Sequence, residues 1–175
     1  MILVVDNRIR TDRQTAKSTL TDRLIQMLDK AQVVSADKSL PFEWKDVDKV
    51  ILSGSGLRLS KTTSHPVIDY ARTIVAEAVK RSIPCLGICF GFQLLAWHLG
   101  HSVSATKVPV PSGIVDERYF NHHDCVVDMT GADAVEHHAA YEFVIYFQQG
   151  VLTGVQWHPE GSAFGTRWLR DWVKC

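Results

Sequence analysis

The chain has 175 residues, 46% of them hydrophobic and 22% charged, which is ordinary globular usage sized for one domain over residues 1–175 and excludes disordered, collagen-like and coiled-coil architectures. Nineteen Lys and Arg balance nineteen Asp and Glu, so there is no basic field to attract nucleic acid or an anionic membrane, and neither is expected as a partner. The apolar run Ile2–Val5 is too short for a signal peptide or a membrane span, which predicts a cytoplasmic protein whose Cys85, Cys89, Cys125 and Cys175 are reduced thiols.

In chain order, apolar β-branched runs at Met1–Val5, Val33–Ser35, Val47–Ser53 and Ile83–Ile88 alternate with stretches of helical spacing, the pattern of parallel βαβ units. The first helix carries Leu20, Leu24, Met27 and Leu28 on one face. The second starts at His65, has Pro66 in its first turn, buries Val67, Ala71, Ile74, Val75 and Ala78, and ends near Arg81. The third, Phe90 to Leu99, closes at Gly100 as a left-handed cap.

Between Ser102 and Gln156 the pattern changes to short strands and turns punctuated by Pro109, Pro111, Gly113, Gly131 and Gly150. Phe143–Phe147 and Val151–Gln156 read as a hairpin that ends the core sheet. A last helix covers Ala163 to Val173, with Phe164, Trp168 and Trp172 turned inward and Leu169 beside them. With no linker and no repeat, the expected fold is a single-domain doubly wound α/β structure, a mostly parallel central sheet flanked by helices.

Three segments carry chemistry. Gly87-Ile88-Cys89-Phe90-Gly91 joins a buried-type strand directly to a helix, the nucleophile elbow with cysteine in place of serine. A tight strand-to-helix turn pushes the nucleophile out of the sheet, and a helix N-terminus favours thiolate over thiol. The amide of Phe90 would face an oxyanion on the attacked carbonyl. By itself the segment fits a buried structural cysteine between packing glycines equally well. In Gly154-Val155-Gln156-Trp157-His158-Pro159-Glu160, Pro159 holds His158 extended, and positions i and i+2 share a side, so Glu160 can brace one ring nitrogen while the other meets a thiol. Read alone, His158 and Glu160 are a surface pair at a loop start. Ile51–Gly56 is a strand ending in a glycine loop able to offer a second amide to an oxyanion. It is not a dinucleotide fingerprint, because the third glycine is missing.

Together and in this order the three segments resemble a class I, triad-type glutamine amidotransferase domain over nearly the whole chain, with Asp6-Asn7 resembling the start of that family. The resemblance implies a flavodoxin-like fold and hydrolysis of L-glutamine to glutamate and ammonia through a cysteine thioester, with no cofactor and no metal. It makes Cys89 the nucleophile, His158 the base and Glu160 its orienter, Gly54 and Phe90 the oxyanion hole, and Gly56, Gln93, His123 and Asp124 the substrate-binding residues. Ammonia would pass to a separate synthetase of the GMP, anthranilate or aminodeoxychorismate type, since 175 residues leave no room for an ATP-using domain. Asn121-His122-His123-Asp124-Cys125-Val126 resembles the stretch that binds the amino-acid end of glutamine in that family, and Asp124 points to the GMP synthetase type, whose relatives carry His-Gly-Asp there. Two alternatives are a stand-alone γ-glutamyl hydrolase and an inactive regulatory domain.

The chain departs from the family at Ser55, where many members have glycine, in a short Gly100–Asn121 stretch, and at His123, bulkier than its usual counterpart. The pairs His122-His123 and His137-His138 fit no established zinc spacing. The five tryptophans and Phe143–Phe147 read as core and strand faces, not as a platform for stacked bases.

Overall fold

A computed structural model describes residues 1–9, 16–39, 41–107, 110 and 112–175, with backbone alone for 16–18. Strand β1 (Ile2–Asp6) leads through helix α1 (Ala16–Met27) to β2 (Gln32–Ser35), and β3 (Lys49–Leu52) through α2 (Pro66–Lys80) to β4 (Cys85–Ile88). Helix α3 (Phe90–His98) follows β4 directly. The short strands β5 (Val103–Ala105), β6 (Gly113–Val115), β7 (Arg118–Phe120), β8 (Asp124–Val126) and β9 (Ala134–His137) come next, then β10 (Val144–Gln149), β11 (Leu152–Val155) and α4 (Ala163–Lys174).

Seven strands form one sheet in the order β2-β1-β3-β4-β11-β10-β9. The first five are parallel and the last two antiparallel. Alternation along the strands divides the core. Leu3, Val5, Val50 and Leu52 face the buried stripes of α2 and α3, while Val4, Ile51, Leu86 and Ile88 face Leu24 of α1 and Leu169 of α4. The period of two in the strands and the apolar helical stripes therefore suffice to put two helices on each face, the doubly wound arrangement expected from the sequence. Among the described residues no helix is long and apolar enough to cross a membrane.

The helix ends follow their local chemistry. His65 caps α2 by accepting the Val67 amide on its ring Nδ1 at 3.2 Å, and Ser162 caps α4 by accepting the Gly165 amide at 3.1 Å. Gly100 ends α3 in the left-handed region, φ +92°. In α4 the deepest side chain is Leu169, 1% exposed, while Phe164, Trp168 and Trp172 are partly buried around it. The indole of Trp157 packs against Phe164 and Trp168, at 5.9 and 5.3 Å between ring centres.

The predicted hairpin is present as β10 and β11, turning at Gly150 (φ +56°), but it does not end the sheet. β9 pairs outside β10, and all four of its residues are exposed. A strand that buries nothing has no alternating apolar signature to read. Pro109 and Pro111 lie outside the described residues. Two small antiparallel ribbons, β5 with β8 and β6 with β7, lie near the carboxyl ends of the parallel strands, as the site contacts below establish.

Candidate active site

The parallel register brings three chain segments level. Leu52 pairs with Gly87 and Gly87 with Gly154, so β3, β4 and β11 end side by side. The carboxyl edge of such a sheet is where ligands bind in doubly wound folds, because backbone groups released from the ladder point outward there.

Beyond β4, Cys89 takes φ +54° and ψ −102° between strand and helix. Such a conformation costs a non-glycine residue on the order of 1–3 kcal/mol and persists only when its surroundings impose it. Here they do. The Cys89 amide donates to Val155 O at 2.9 Å, and its carbonyl accepts the Gln93 amide at 3.1 Å. A Cβ on Gly87 would stand 2.4 Å from Gly91 O, and one on Gly91 would stand 2.4 Å from Leu52 O. Backbone meets backbone at both glycines, which is why the elbow tolerates no side chain there.

Beyond β11, His158 is 3% exposed and Glu160 5% exposed. Ring Nδ1 lies 2.8 Å from Glu160 Oε1. The sequence predicts an extended His-Pro-Glu segment. Instead His158 alone is extended, and Pro159–Gly161 form one 3₁₀ turn that folds the carboxylate back onto the ring. A ribbon residue fixes the other side: the His158 amide donates to Tyr119 O at 2.7 Å.

His158 Nε2 has no nitrogen or oxygen partner among the described residues. Its neighbour is the Cys89 sulfur, whose charge and hydrogen bonding both act on the ring. A Cβ placed on Gly54 would come 2.9 Å from His158 Cε1, 3.7 Å from Nε2 and 3.7 Å from Cys89 Cβ. Thiol, imidazole and glycine loop therefore meet at one point. Burial disfavours charge on this ring, but the electrostatic pull of Glu160 and Cys89, with hydrogen bonds to both, outweighs it and raises the imidazole to about 10. The arrangement stabilises an imidazolium beside a sulfur, held in one orientation by a carboxylate. Cys85, at the start of β4, is pushed up to about 12 by burial alone.

Among the described hydrogen bonds, neither the Gly54 amide nor the Phe90 amide donates to a protein acceptor. Phe90 opens α3, so its N–H has no intrahelical partner and carries the positive end of the helix dipole.

The remaining predicted residues form a wall beside this centre. Buried Gln93 donates its side-chain amide to Asp124 O at 2.8 Å and to Gln156 Oε1 at 3.2 Å. The buried Asp124 carboxylate accepts Arg58 Nε at 2.9 Å, Ser60 Oγ at 2.7 Å and the Ser60 amide at 2.9 Å. It thus clamps β8 to the chain that follows Gly56, itself half-buried. Ser55, in place of a glycine, is buried and accepts the Leu57 amide on its hydroxyl at 3.2 Å. His123 is exposed, with its carbonyl accepting the Thr106 amide at 3.0 Å. Buried His122 sets Nδ1 2.8 Å from Asp124 O and packs against Phe143. The segment crosses above the elbow, where the Cys89 thiol faces Asn121 O at 3.7 Å.

Cys89, His158, Glu160, Gly54 and Phe90 are thus brought together, Gln93 and Asp124 hold a neighbouring segment in place, and His123 stands outside. The sequence assigns no role to Arg58, Ser60, Ser53 or Gln156. None of them lies at a spacing that marks a role; they act through long-range contacts. Among the described residues no three of His, Cys, Asp or Glu are grouped to hold a metal ion.

The cysteine elbow and the His-Glu pair thus stand together at the carboxyl edge of a doubly wound α/β sheet. The family model of Glutamine amidotransferase class-I matches residues 11–174, and the chain belongs to that family. Its curated relatives include a GMP synthase [glutamine-hydrolyzing] of Tropheryma whipplei, 30% identical over 141 residues, covering 70% of this chain and 28% of that protein. A carbamoyl phosphate synthase small chain of Pyrobaculum aerophilum is 29% identical over 121 residues, covering 60% of this chain and 35% of that protein. The chain thus spans about a third or less of the curated relatives it matches. Among solved structures, a glutamine amidotransferase from Thermotoga maritima superposes with TM-score 0.71 at 20% identity over 99% of this chain and 82% of that one. PurLQS from Thermotoga maritima superposes with TM-score 0.66 at 16% identity over 99% and 97%. At these identities the likeness is one of fold.

Proposed function

We propose that the chain is a glutaminase subunit that hydrolyses L-glutamine to glutamate and ammonia through a Cys89 thioester and passes the ammonia to a separate synthetase. The observation that carries this reading is the meeting at Gly54 of a strained, helix-capping cysteine with an imidazole braced by Glu160 at 2.8 Å.

The Cys89 sulfur adds to the side-chain carbonyl carbon of glutamine, and the oxygen takes the negative charge toward the free amides of Gly54 and Phe90. His158, protonated in the resting site, gives its proton to the departing ammonia as the carbon–nitrogen bond breaks, leaving a γ-glutamyl thioester. A water then attacks the thioester carbonyl. His158 takes the water's proton, the carbon–sulfur bond breaks, glutamate leaves and the starting pair is restored. Glu160 keeps Nδ1 occupied, so that Nε2 handles each proton. Gln93 and Asp124 hold the Asn121–His123 segment across from the Gly54–Gly56 loop. The amino-acid end of glutamine lies between these walls, with Gly56 and His123 at its rim.

The relatives named GMP synthase and carbamoyl phosphate synthase small chain support a synthetase as the consumer of ammonia. Of the GMP, anthranilate and aminodeoxychorismate types, the GMP type fits Asp124 best.

Glutamate release from L-glutamine, compared with release from γ-glutamyl alkylamides, tests the reading. We expect glutamine to be the better substrate and acid-quenched enzyme to carry a γ-glutamyl adduct on the Cys89 peptide. Release only from the alkylamides would make the chain a γ-glutamyl hydrolase, and no release from either would overturn an enzymatic role.

A further inference from the structure

Asn7 follows β1, is 0% exposed, and among the described hydrogen bonds makes none to the three residues assigned to the chemistry above. A fully buried amide side chain at the carboxyl edge of the sheet calls for a reason, because burying such a group is costly unless its hydrogen bonds are met inside. The bonds it makes go to one place, while its Oδ1 has no partner among the described residues. The Asn7 side-chain Nδ2 donates to Ser53 O at 2.9 Å, and the Asn7 backbone amide donates to Ser53 Oγ at 3.0 Å. Ser53 Oγ in turn donates to Gly54 O at 3.0 Å. Register makes the contact: Val5 pairs with Leu52 and its carbonyl accepts the Ser53 amide at 3.0 Å, so Asn7 leaves the adjacent strand one residue beyond the level of Ser53.

These three side-chain bonds act on the two peptide planes that flank Gly54. A trans peptide is rigid, with its carbonyl and its N–H pointing in opposite directions. Asn7 draws the Ser53 carbonyl to its own side, so the N–H of the same plane, that of Gly54, must point away from Asn7. That N–H is one of the two amides assigned to the oxyanion, and the Gly54 α-carbon lies against Cys89 and His158. The Ser53 hydroxyl restrains the next plane through Gly54 O. Restraint is needed here because glycine has no side chain to oppose rotation of its flanking peptides. Asn7 is itself held: the guanidinium of Arg8 grips both oxygens of Asp6 at 2.9 and 2.8 Å and reaches Asp22 of α1 at 2.8 Å.

We propose that Asn7 is a positioning residue which locks the Ser53–Gly54 peptide with its N–H turned into the oxyanion hole. It rests on the glutaminase reading of Cys89 and adds the device that keeps one of its two oxyanion donors aimed. Asn7 contacts neither substrate nor the thiol; it acts through Gly54.

The test separates oxyanion stabilisation from thiol reactivity in the full chain. Glutamine turnover is measured for the parent, Asn7→Ala, Ser53→Ala and Cys89→Ala, using enough enzyme to detect slow hydrolysis. Iodoacetamide alkylation of the Cys89 peptide is followed in the first three by mass spectrometry, a displacement at tetrahedral carbon that builds no oxyanion. For Asn7→Ala we expect kcat to fall roughly 30- to 300-fold with KM within about threefold of the parent, somewhat less than the about 100- to 1000-fold of losing an oxyanion donor outright, because the Gly54 N–H is misaimed and not removed. Alkylation should stay within about twofold, since the pair of Cys89 and His158 is untouched. Ser53→Ala, which keeps the Asn7 side-chain bond to the carbonyl, should lose about 3- to 10-fold in kcat and supplies the answer if Asn7→Ala does not fold. A crystal structure of the variant should show the Ser53–Gly54 peptide rotated or in two orientations.

Turnover of the folded Asn7→Ala protein close to the parent's overturns the proposal and leaves the glutaminase reading standing. So does alkylation that falls in step with turnover, because the residue would then be supporting the thiol. A parent no faster than Cys89→Ala overturns the glutaminase reading itself, and this proposal with it.

Discussion

The two ends of the parallel sheet are built from the same strands and behave as different materials. Cys85 opens β4 and Cys89 follows its last residue, four positions apart. Inside the strand the thiol is sealed among apolar side chains and pushed up to about 12, the behaviour of a small hydrophobe. Past the strand end the same residue type sits in a strained conformation, between an imidazole and a helix N-terminus. At the amino end the neighbours are structural: Lys49 lies over the Trp172 ring at 4.8 Å and donates to Trp172 O at 2.9 Å. The difference lies in the backbone. Where the ladder runs, amides are occupied; where it stops, Gly54 and Phe90 keep theirs open, and side chains from separate strands converge on them.

Substitutions at each end can break this contrast, beginning with the largest effect. Cys89→Ala should reduce glutamine turnover by at least roughly 10⁴-fold, as loss of a covalent nucleophile does. Cys85→Ala should leave turnover within about twofold and cost about 1 kcal/mol of stability in a denaturant titration. Comparable losses of activity at the two positions would erase the distinction between the ends. Within the site, His158→Ala should be about 10- to 100-fold more damaging to kcat than Glu160→Gln, which removes orientation but not the base. Equal damage would assign Glu160 a larger part.

Glycines sharpen the comparison at smaller scale. Gly54→Ala would drive its Cβ to 2.9 Å from His158 Cε1, and the displaced ring should cost about 100-fold in kcat. Gly150→Ala, at the amino end, meets nothing within 4 Å but sits at φ +56°. It should cost about 1 kcal/mol of stability and no activity.

Stability also depends on pH. The folded state raises His158 from 6.5 to about 10, so its stabilising contribution is complete below pH 6.5 and is lost as pH rises through about 10. Denaturant titrations at neutral pH and above pH 10 should show the parent losing stability that His158→Gln does not lose. The same slope in both proteins would locate the titration elsewhere.

The fold was legible wherever burial leaves a periodic trace. Val67, Ala71, Ile74, Val75 and Ala78 announce α2 because every one of them faces the core. β9 left none because its four residues are exposed. In the site, the elbow could be read because two flanking glycines and a cysteine answer to local backbone crowding. The roles of Arg58 and Ser60 could not, since they act on Asp124 across more than sixty positions of chain, 66 and 64 residues away. Asp124 itself turns its carboxylate toward those partners.

Residue order alone determined the α/β alternation, the helix faces, the cysteine elbow and the His-Pro-Glu pair, because each depends on neighbours within a few positions. Tertiary structure decided that β1, β3, β4 and β11 stop level with one another, that His158 meets Cys89 beside Gly54, and that Asn7 grips the Ser53 carbonyl. Those are questions of strand order and register, which arise only when segments distant in the chain share one sheet.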